Sequence, residues 1–325
     1  MRPRILFASL ALTVLCISCG SGDRDIRTLK IAHGLNIDHP VHKAMVYLAQ
    51  QAAEKSDHTL KIDIYPSEQL GTEKECIEQL QMGILSMTKV SSSPLESFVP
   101  KIKVFALPFL FRDAEHKWTV LNGPIGKELL VACTPKGFRG LCYYDAGARS
   151  FYTVDKPILH PDDLQGLKIR TQQSPMAIDM VNALGGSATP IPWGELYTAL
   201  QQGVVDGAEN NEPSLYTSRH YEVAKHYSLN EHTMVPDVLL ISTLQWESLS
   251  KQHQDILEQA ADESVAYQRI LWAEFVQEAM ADMTSKGLQV YNPDKTPFMQ
   301  RAQAMYEKYK GTEIGELAQR IQEVQ

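Results

Sequence analysis

The sequence predicts an α/β protein of two lobes with a long helix spanning both. Three observations carry that prediction. Strand-like and helix-like patterns alternate near the start of the chain and again after residue 160, the rhythm of helices covering a mainly parallel sheet. The run VLLIS, Val238 to Ser242, is apolar throughout, as a strand buried on both faces is. A helical segment from about Lys251 to Lys286, stopped by Gly287, would run on the order of 50 Å, longer than one lobe is wide.

Taken in order, Leu29 to Ala32 reads as the first strand. Asp38 is the expected cap of a helix whose Val41, Ala44, Met45, Leu48 and Ala52 share one face. Leu60, Ile62 and Ile64 alternate with Lys61 and Asp63 in a half-buried strand ending at Tyr65-Pro66. A second helix covers Glu73 to Gly83. The apolar run Lys103 to Asp113 is interrupted by Pro108, and a helix from His116 to about Cys133 follows. Gly137 to Tyr144 is a strand. A second block begins near Ala148, with a helix at Pro161 to Leu164, a strand at Leu167 to Thr171 and a helix at Pro175 to Leu184. Thr189 to Pro192 is a short strand, Glu195 to Gln202 a helix, and DGAENNEP (Asp206 to Pro213) a turn that Asp206 braces.

The totals exclude several functions. The chain has 325 residues, 44% hydrophobic and 22% charged, which is ordinary globular composition and length for about two domains. The formal net charge of −8 is spread without blocks of one sign, so no basic stripe is available for nucleic acid or an anionic membrane. Arg2 and Arg4 precede the apolar run Ile5 to Leu15 and the small exit LCISCGSG, the pattern of an export signal over residues 1–19. Cys19 stands where a bacterial lipoprotein is lipidated, and residues 20–27 then form a tether. Cys133 and Cys142 invite a disulfide, with Cys76 left over; free buried thiols are the alternative.

The chemistry resides in a few places. Arg170 ends the strand LKIR, and ligands gather at the carboxyl ends of parallel strands, where a guanidinium grips a carboxylate with two parallel hydrogen bonds. Arg149, in DAGARSF, sits at the apparent lobe boundary, either as a second ligand arginine or as a hinge residue paired with Asp145. Trp193 lies in a loop before a helix, free to pack a flat face on a ligand or to close the core. Asn210 and Asn211 offer amide donors and acceptors, and Ser91, Ser92 and Ser93 form a polar loop. His33, His39, His42, His220, His226 and His232 fall near the expected cleft. His39 and His42 have metal-compatible spacing, yet no HExxH pattern or third ligand accompanies them, so no metal or other cofactor is expected. No GxSxG elbow marks a nucleophile. The constellation is one for binding an acid without transforming it.

Five segments resemble one family: YPSEQLG (Tyr65 to Gly71), FALPFLFRD (Phe105 to Asp113), DLQGLKIR (Asp163 to Arg170), ELYTALQQGVVDGAEN (Glu195 to Asn210) and YEVAKHYSLNEH (Tyr221 to His232). In this order they resemble the extracytoplasmic solute-binding proteins of tripartite ATP-independent periplasmic (TRAP) transporters, often labelled after C4-dicarboxylate uptake. The resemblance implies a periplasmic-binding-protein architecture with a ligand cleft between two lobes, at 28–147 with about 237–276 and 148–236 with about 277–325. It also implies delivery of a small carboxylate ligand to a membrane permease. Arg170 takes the position that grips the substrate carboxylate, Arg149 that of a second substrate arginine, Asn210 that of the DGxEN asparagine, and Trp193 that of an aromatic packed on substrate. Glu73 and Ser91 fall where the rest of the ligand is read, and His33 joins them as a candidate at the cleft edge. Ser86 and Asn211 depart from the family pattern, at the aspartate of a GxxD turn and at a proline. ENN with RTQQSPM looks like members that bind glucuronate, galacturonate or a keto-gulonate. A C4-dicarboxylate ligand, an exported sugar-acid hydrolase or lyase, and a binding module reporting to a sensor are the alternatives.

Overall fold

The computed structural model describes residues 26–325, so the expected export signal, Cys19 and the expected tether up to residue 25 lie outside the described residues. Eleven strands form two sheets among them. The first has the order β2-β1-β3-β10-β4, from Arg27–Ala32 (β1), Leu60–Tyr65 (β2), Met87–Ser91 (β3), Phe138–Tyr144 (β4) and Asp237–Ser242 (β10). The second has the order β11-β9-β5-β8-β6-β7, from Arg149–Thr153 (β5), Lys168–Thr171 (β6), Ser187–Pro190 (β7), Gly207–Asn210 (β8), His226–Thr233 (β9) and Gln289–Tyr291 (β11).

Both sheets are mixed rather than mainly parallel. β1 pairs parallel with β2 and β3, whereas β10 pairs antiparallel with β3 and β4. β6 pairs parallel with β7 and β8, whereas β5 runs antiparallel to β8 and β9. The antiparallel strands are those in which the chain changes sheets, from β4 to β5 and from β9 to β10. All six residues of β10 are buried, in accord with a strand packed on both faces.

The long helix spans Lys251–Ser285 and makes the third crossing. Its first half supplies Leu257, Ala260 and Ala261 to the core shared with Leu29, Met45 and Leu48. Its second half supplies Ala279 and Met283 to the core built on Tyr152, Leu196 and Tyr227. Between them Gln268 grips the β4–β5 crossing by accepting from the Asp145 amide at 2.9 Å and donating to the Asp145 carbonyl at 3.0 Å. Gly147 turns that crossing with φ +58°, and a Cβ there would come 3.0 Å from the Trp272 ring.

Several expected elements moved for identifiable reasons. The cap of helix Pro40–Lys55 is His39, not Asp38: Pro40 occupies the first turn, and the residue before a proline is held extended. The expected helix from His116 to Cys133 is two, Ala114–Asn122 and Pro124–Val131, divided at Gly123-Pro124. Gly207 to Asn210 is a buried strand rather than a turn. Cys76, Cys133 and Cys142 are all free and buried, so Cys133 and Cys142 form no disulfide. Burial pushes the thiols up, to about 11 for Cys76 and about 12 for Cys133. Helices Thr296–Tyr309 and Glu313–Gln322 close the chain, the first on helix Pro175–Leu184 and the second on the segment Pro100–Ala106. Among the described residues no helix is long and apolar enough to cross a membrane.

Candidate functional site

The strand ends of both sheets meet at a cavity of about 520 Å³, its open mouth included. Arg149, Arg170, Trp193, Asn210, Glu73 and Ser91 all line it, so six of the seven residues singled out in the sequence converge there. His33 does not. It lies behind the wall, where Nδ1 accepts from the Leu35 amide at 3.1 Å and Nε2 meets His42 Nδ1 at 3.0 Å. Burial and the nearby Lys89 hold its pKa down at about 2, so it is neutral.

The two arginines differ. Arg149 opens β5 and faces the β8 residues Glu209 and Asn210 across the sheet. Its Nε and Nη2 donate to the Glu209 carboxylate at 2.5 and 2.7 Å, Nη2 also to the Glu209 carbonyl at 2.7 Å, and Nη1 to Asn210 Oδ1 at 2.8 Å. Burial alone would raise the Glu209 carboxyl; Arg149 and His232 overcome it and hold the pKa at about 2. Arg149 therefore brings no unbalanced charge to the cavity, and its partner is Glu209 rather than Asp145. Asp145 instead pairs with Lys117 at 2.6 Å.

Arg170 is the opposite case. It is 2% exposed, at the end of β6. Its Nε donates to the Ile191 carbonyl at 2.8 Å, and the guanidinium lies 5.7 Å from the centre of the Trp193 ring. Its Nη1 is buried without a hydrogen-bond partner, and among the described residues no carboxylate pairs with it. Burial lowers its pKa, with Arg149 adding to the effect, yet a guanidinium stays charged. This is a buried cation pointed into a cavity with donors to spare.

The remaining lining side chains are largely committed. Lys89 Nζ pairs with Asp237 at 3.0 Å and lies 3.6 Å from Glu73, whose Oε1 also accepts from the Ser91 amide at 2.8 Å. Asn210 Oδ1 accepts from Arg149 and from the Asn211 amide at 2.9 Å, so what its side chain can still offer is the Nδ2 donor. Asn211 is spent, bonding the Ser214 amide and the Ala146 carbonyl, both at 2.9 Å. Asp206 braces β6, accepting from the Lys168 amide at 2.7 Å. Among the described residues no group of three or more His, Cys, Asp or Glu side chains could hold a metal.

Of the histidines expected near the cleft, His39 lines the cavity, whereas sequence reasoning missed Gln172, Lys89, Asp237 and Trp272 as lining residues. Gln172 carried a usable signal as a polar residue just past the end of the strand that Arg170 occupies, where ligands gather. It also bridges the halves, accepting from Ser91 Oγ at 3.5 Å. His39 does the same through Ser214 Oγ at 3.3 Å. Lys89, Asp237 and Trp272 reach the cavity only through the topology, and no local pattern marks them.

Residues 31–312 match the family described as bacterial extracellular solute-binding protein, family 7. The chain is 40% identical over 297 residues to the uncharacterized protein YiiZ of Salmonella typhimurium, covering 90% of each chain. A TRAP periplasmic solute-binding protein from Bradyrhizobium sp. BTAi1, solved with α/β-D-galacturonate, superposes with a TM-score of 0.87 at 44% identity, over 91% of this chain and 99% of that one. Another, from Pseudomonas putida F1 with bound D-glucuronate, gives a TM-score of 0.89 at 34% identity, over 92% and 98% of the two chains.

Proposed function

We propose that this chain, which belongs to the bacterial extracellular solute-binding proteins of family 7, captures a hexuronate such as galacturonate or glucuronate and delivers it to a TRAP permease. The observation that carries this reading is Arg170, buried at 2% exposure with Nη1 unpartnered in the cavity. A carboxylate would complete its fork with two charge-assisted hydrogen bonds. A ligand without an acid group would leave the guanidinium unpaired, at a cost of about 3–5 kcal/mol by comparison with other broken buried pairs. Trp193 supplies a face for the sugar ring, and Asn210, Ser91 and Glu73 supply polar contacts.

One acid group fits better than two. Arg149 is consumed by Glu209 and Asn210, and Lys89 by Asp237 and Glu73, so among the described lining residues no second cation is left for a second carboxylate. That weighs against a C4-dicarboxylate. The similar proteins solved with galacturonate and glucuronate support the same ligand class. Capture proceeds without catalysis: the proposed lobes, 28–147 with about 237–276 and 148–236 with about 277–325, close on the ligand and exclude water, which strengthens the ion pair. The protein would act outside the cytoplasm, tethered through Cys19 where that residue is lipidated.

Isothermal titration of the purified protein with galacturonate, glucuronate, succinate and malate tests this reading. Tight binding of a uronate, with the ligand recovered unchanged, is expected. Tighter binding of succinate would move the assignment to a dicarboxylate, and consumption of the uronate would make the protein an enzyme.

A further inference from the structure

Glu68, within YPSEQLG, does not line the main cavity. Ser67 and Glu68 both have left-handed backbones, φ +55° and +58°, a region that few side chains accept. The turn is held there by four backbone bonds: Glu68 N to the His33 carbonyl, Ser67 N to the Leu35 carbonyl and Gln69 N to the Pro66 carbonyl, each at 3.1 Å, and Gly71 N to the Glu68 carbonyl at 3.0 Å. From it the Glu68 side chain crosses from the first half of the molecule to the second, where Oε2 accepts from the Gly194 amide at 3.1 Å. The approach is close enough that a Cβ on residue 194 would lie 2.4 Å from Oε2. Oε1 is buried and has no partner.

Glu68 also lines a smaller recess of about 270 Å³, its open mouth included, that adjoins the main cavity and shares Glu73, Arg170, Gln172 and Trp193 with it. Glu68 and Arg170 both line this space, and each carries one buried polar atom without a partner: Arg170 Nη1, a donor, and Glu68 Oε1, an acceptor. A plain carboxylate satisfies the first and leaves the second buried and unpaired, which is costly. A hydroxylated acid satisfies both. Resting on the reading of Arg170 as the carboxylate anchor, we propose that Glu68 is a specificity-determining residue whose inner oxygen accepts a hydrogen bond from a hydroxyl of the bound acid. The closed cleft then selects hydroxy acids over bare carboxylates of the same size.

The test is calorimetry with D-galacturonate and with cyclohexanecarboxylate, which keeps a six-membered ring and its acid but carries no hydroxyl. Glu68→Ala should lower galacturonate affinity by about 10- to 100-fold, the range of one hydrogen bond to a charged group, and leave cyclohexanecarboxylate unchanged or tighter. Gly194→Ala should act in the same direction, because its Cβ displaces only the flexible end of Glu68 and the backbone there needs no glycine. An unchanged ratio between the two acids in Glu68→Ala, or an equal loss of both, would overturn the proposal and leave Glu68 a mere strut across the cleft. The Arg170 reading fails separately, if Arg170→Ala retains galacturonate. Wild-type protein that binds neither acid would overturn both.

Discussion

Replacing Glu209 with glutamine removes one charge and almost no volume, and its consequence follows from the Arg149–Glu209 pair. Both side chains are buried, and three of the Arg149 hydrogen bonds end on Glu209. The folded protein holds the Glu209 carboxyl at about 2 against a usual 4.5. At about 1.4 kcal/mol per pKa unit, the ionised carboxylate contributes about 3 kcal/mol to the folded state. The sign follows from a depressed pKa: the contribution is complete above pH 4.5 and is lost as pH falls from 4.5 toward 2. Urea unfolding followed by tryptophan fluorescence should find Glu209→Gln about 3 kcal/mol less stable at pH 7, with the gap narrowing at pH 3. Equal stability at pH 7, or a gap that does not change with pH, would refute the reasoning. The variant also frees Arg149, so its affinity for succinate relative to galacturonate should rise.

Two further outcomes are expected. Trp193→Ala removes the ring beside Arg170 and should weaken uronate binding by about tenfold, within the range of a desolvated cation–π contact; titration calorimetry reads this directly. Because Cys76, Cys133 and Cys142 are buried as free thiols with raised pKa values, a thiol reagent should leave all three untouched in native protein and modify all three after denaturation without reductant.

Much of this architecture is legible in the sequence where one residue pattern decides one element. Helix Pro175–Leu184 has Ser174 as cap, a proline at its first position and Gly185 behind it, so its observed span is the predicted one. The long helix is stopped by Gly287 and ends two residues before it. Arg170 is legible because it ends a strand. Legibility fails where tertiary contacts decide. GAEN is rich in polar residues and reads as a turn, yet it is a buried strand because Arg149, sixty residues away in sequence, neutralises Glu209. The same pair is why Arg149 carries no free charge, although its position in the chain resembles that of a substrate arginine. His33 reads as a cleft-edge candidate through its neighbourhood, and its bonds to Leu35 and His42 hold it behind the cavity wall instead. Glu68 shows no signal at all in one dimension; its reach across to Gly194 exists only once the lobes are assembled.

The central claim is that one buried guanidinium selects for an acid group, and titration of galacturonate into Arg170→Ala tests it most directly. Loss of about 3–5 kcal/mol of binding energy, two to three and a half orders of magnitude in affinity, is the expected result. An Arg170→Ala protein that is folded, by an unchanged circular dichroism spectrum, and binds galacturonate as tightly as the native chain would contradict the account.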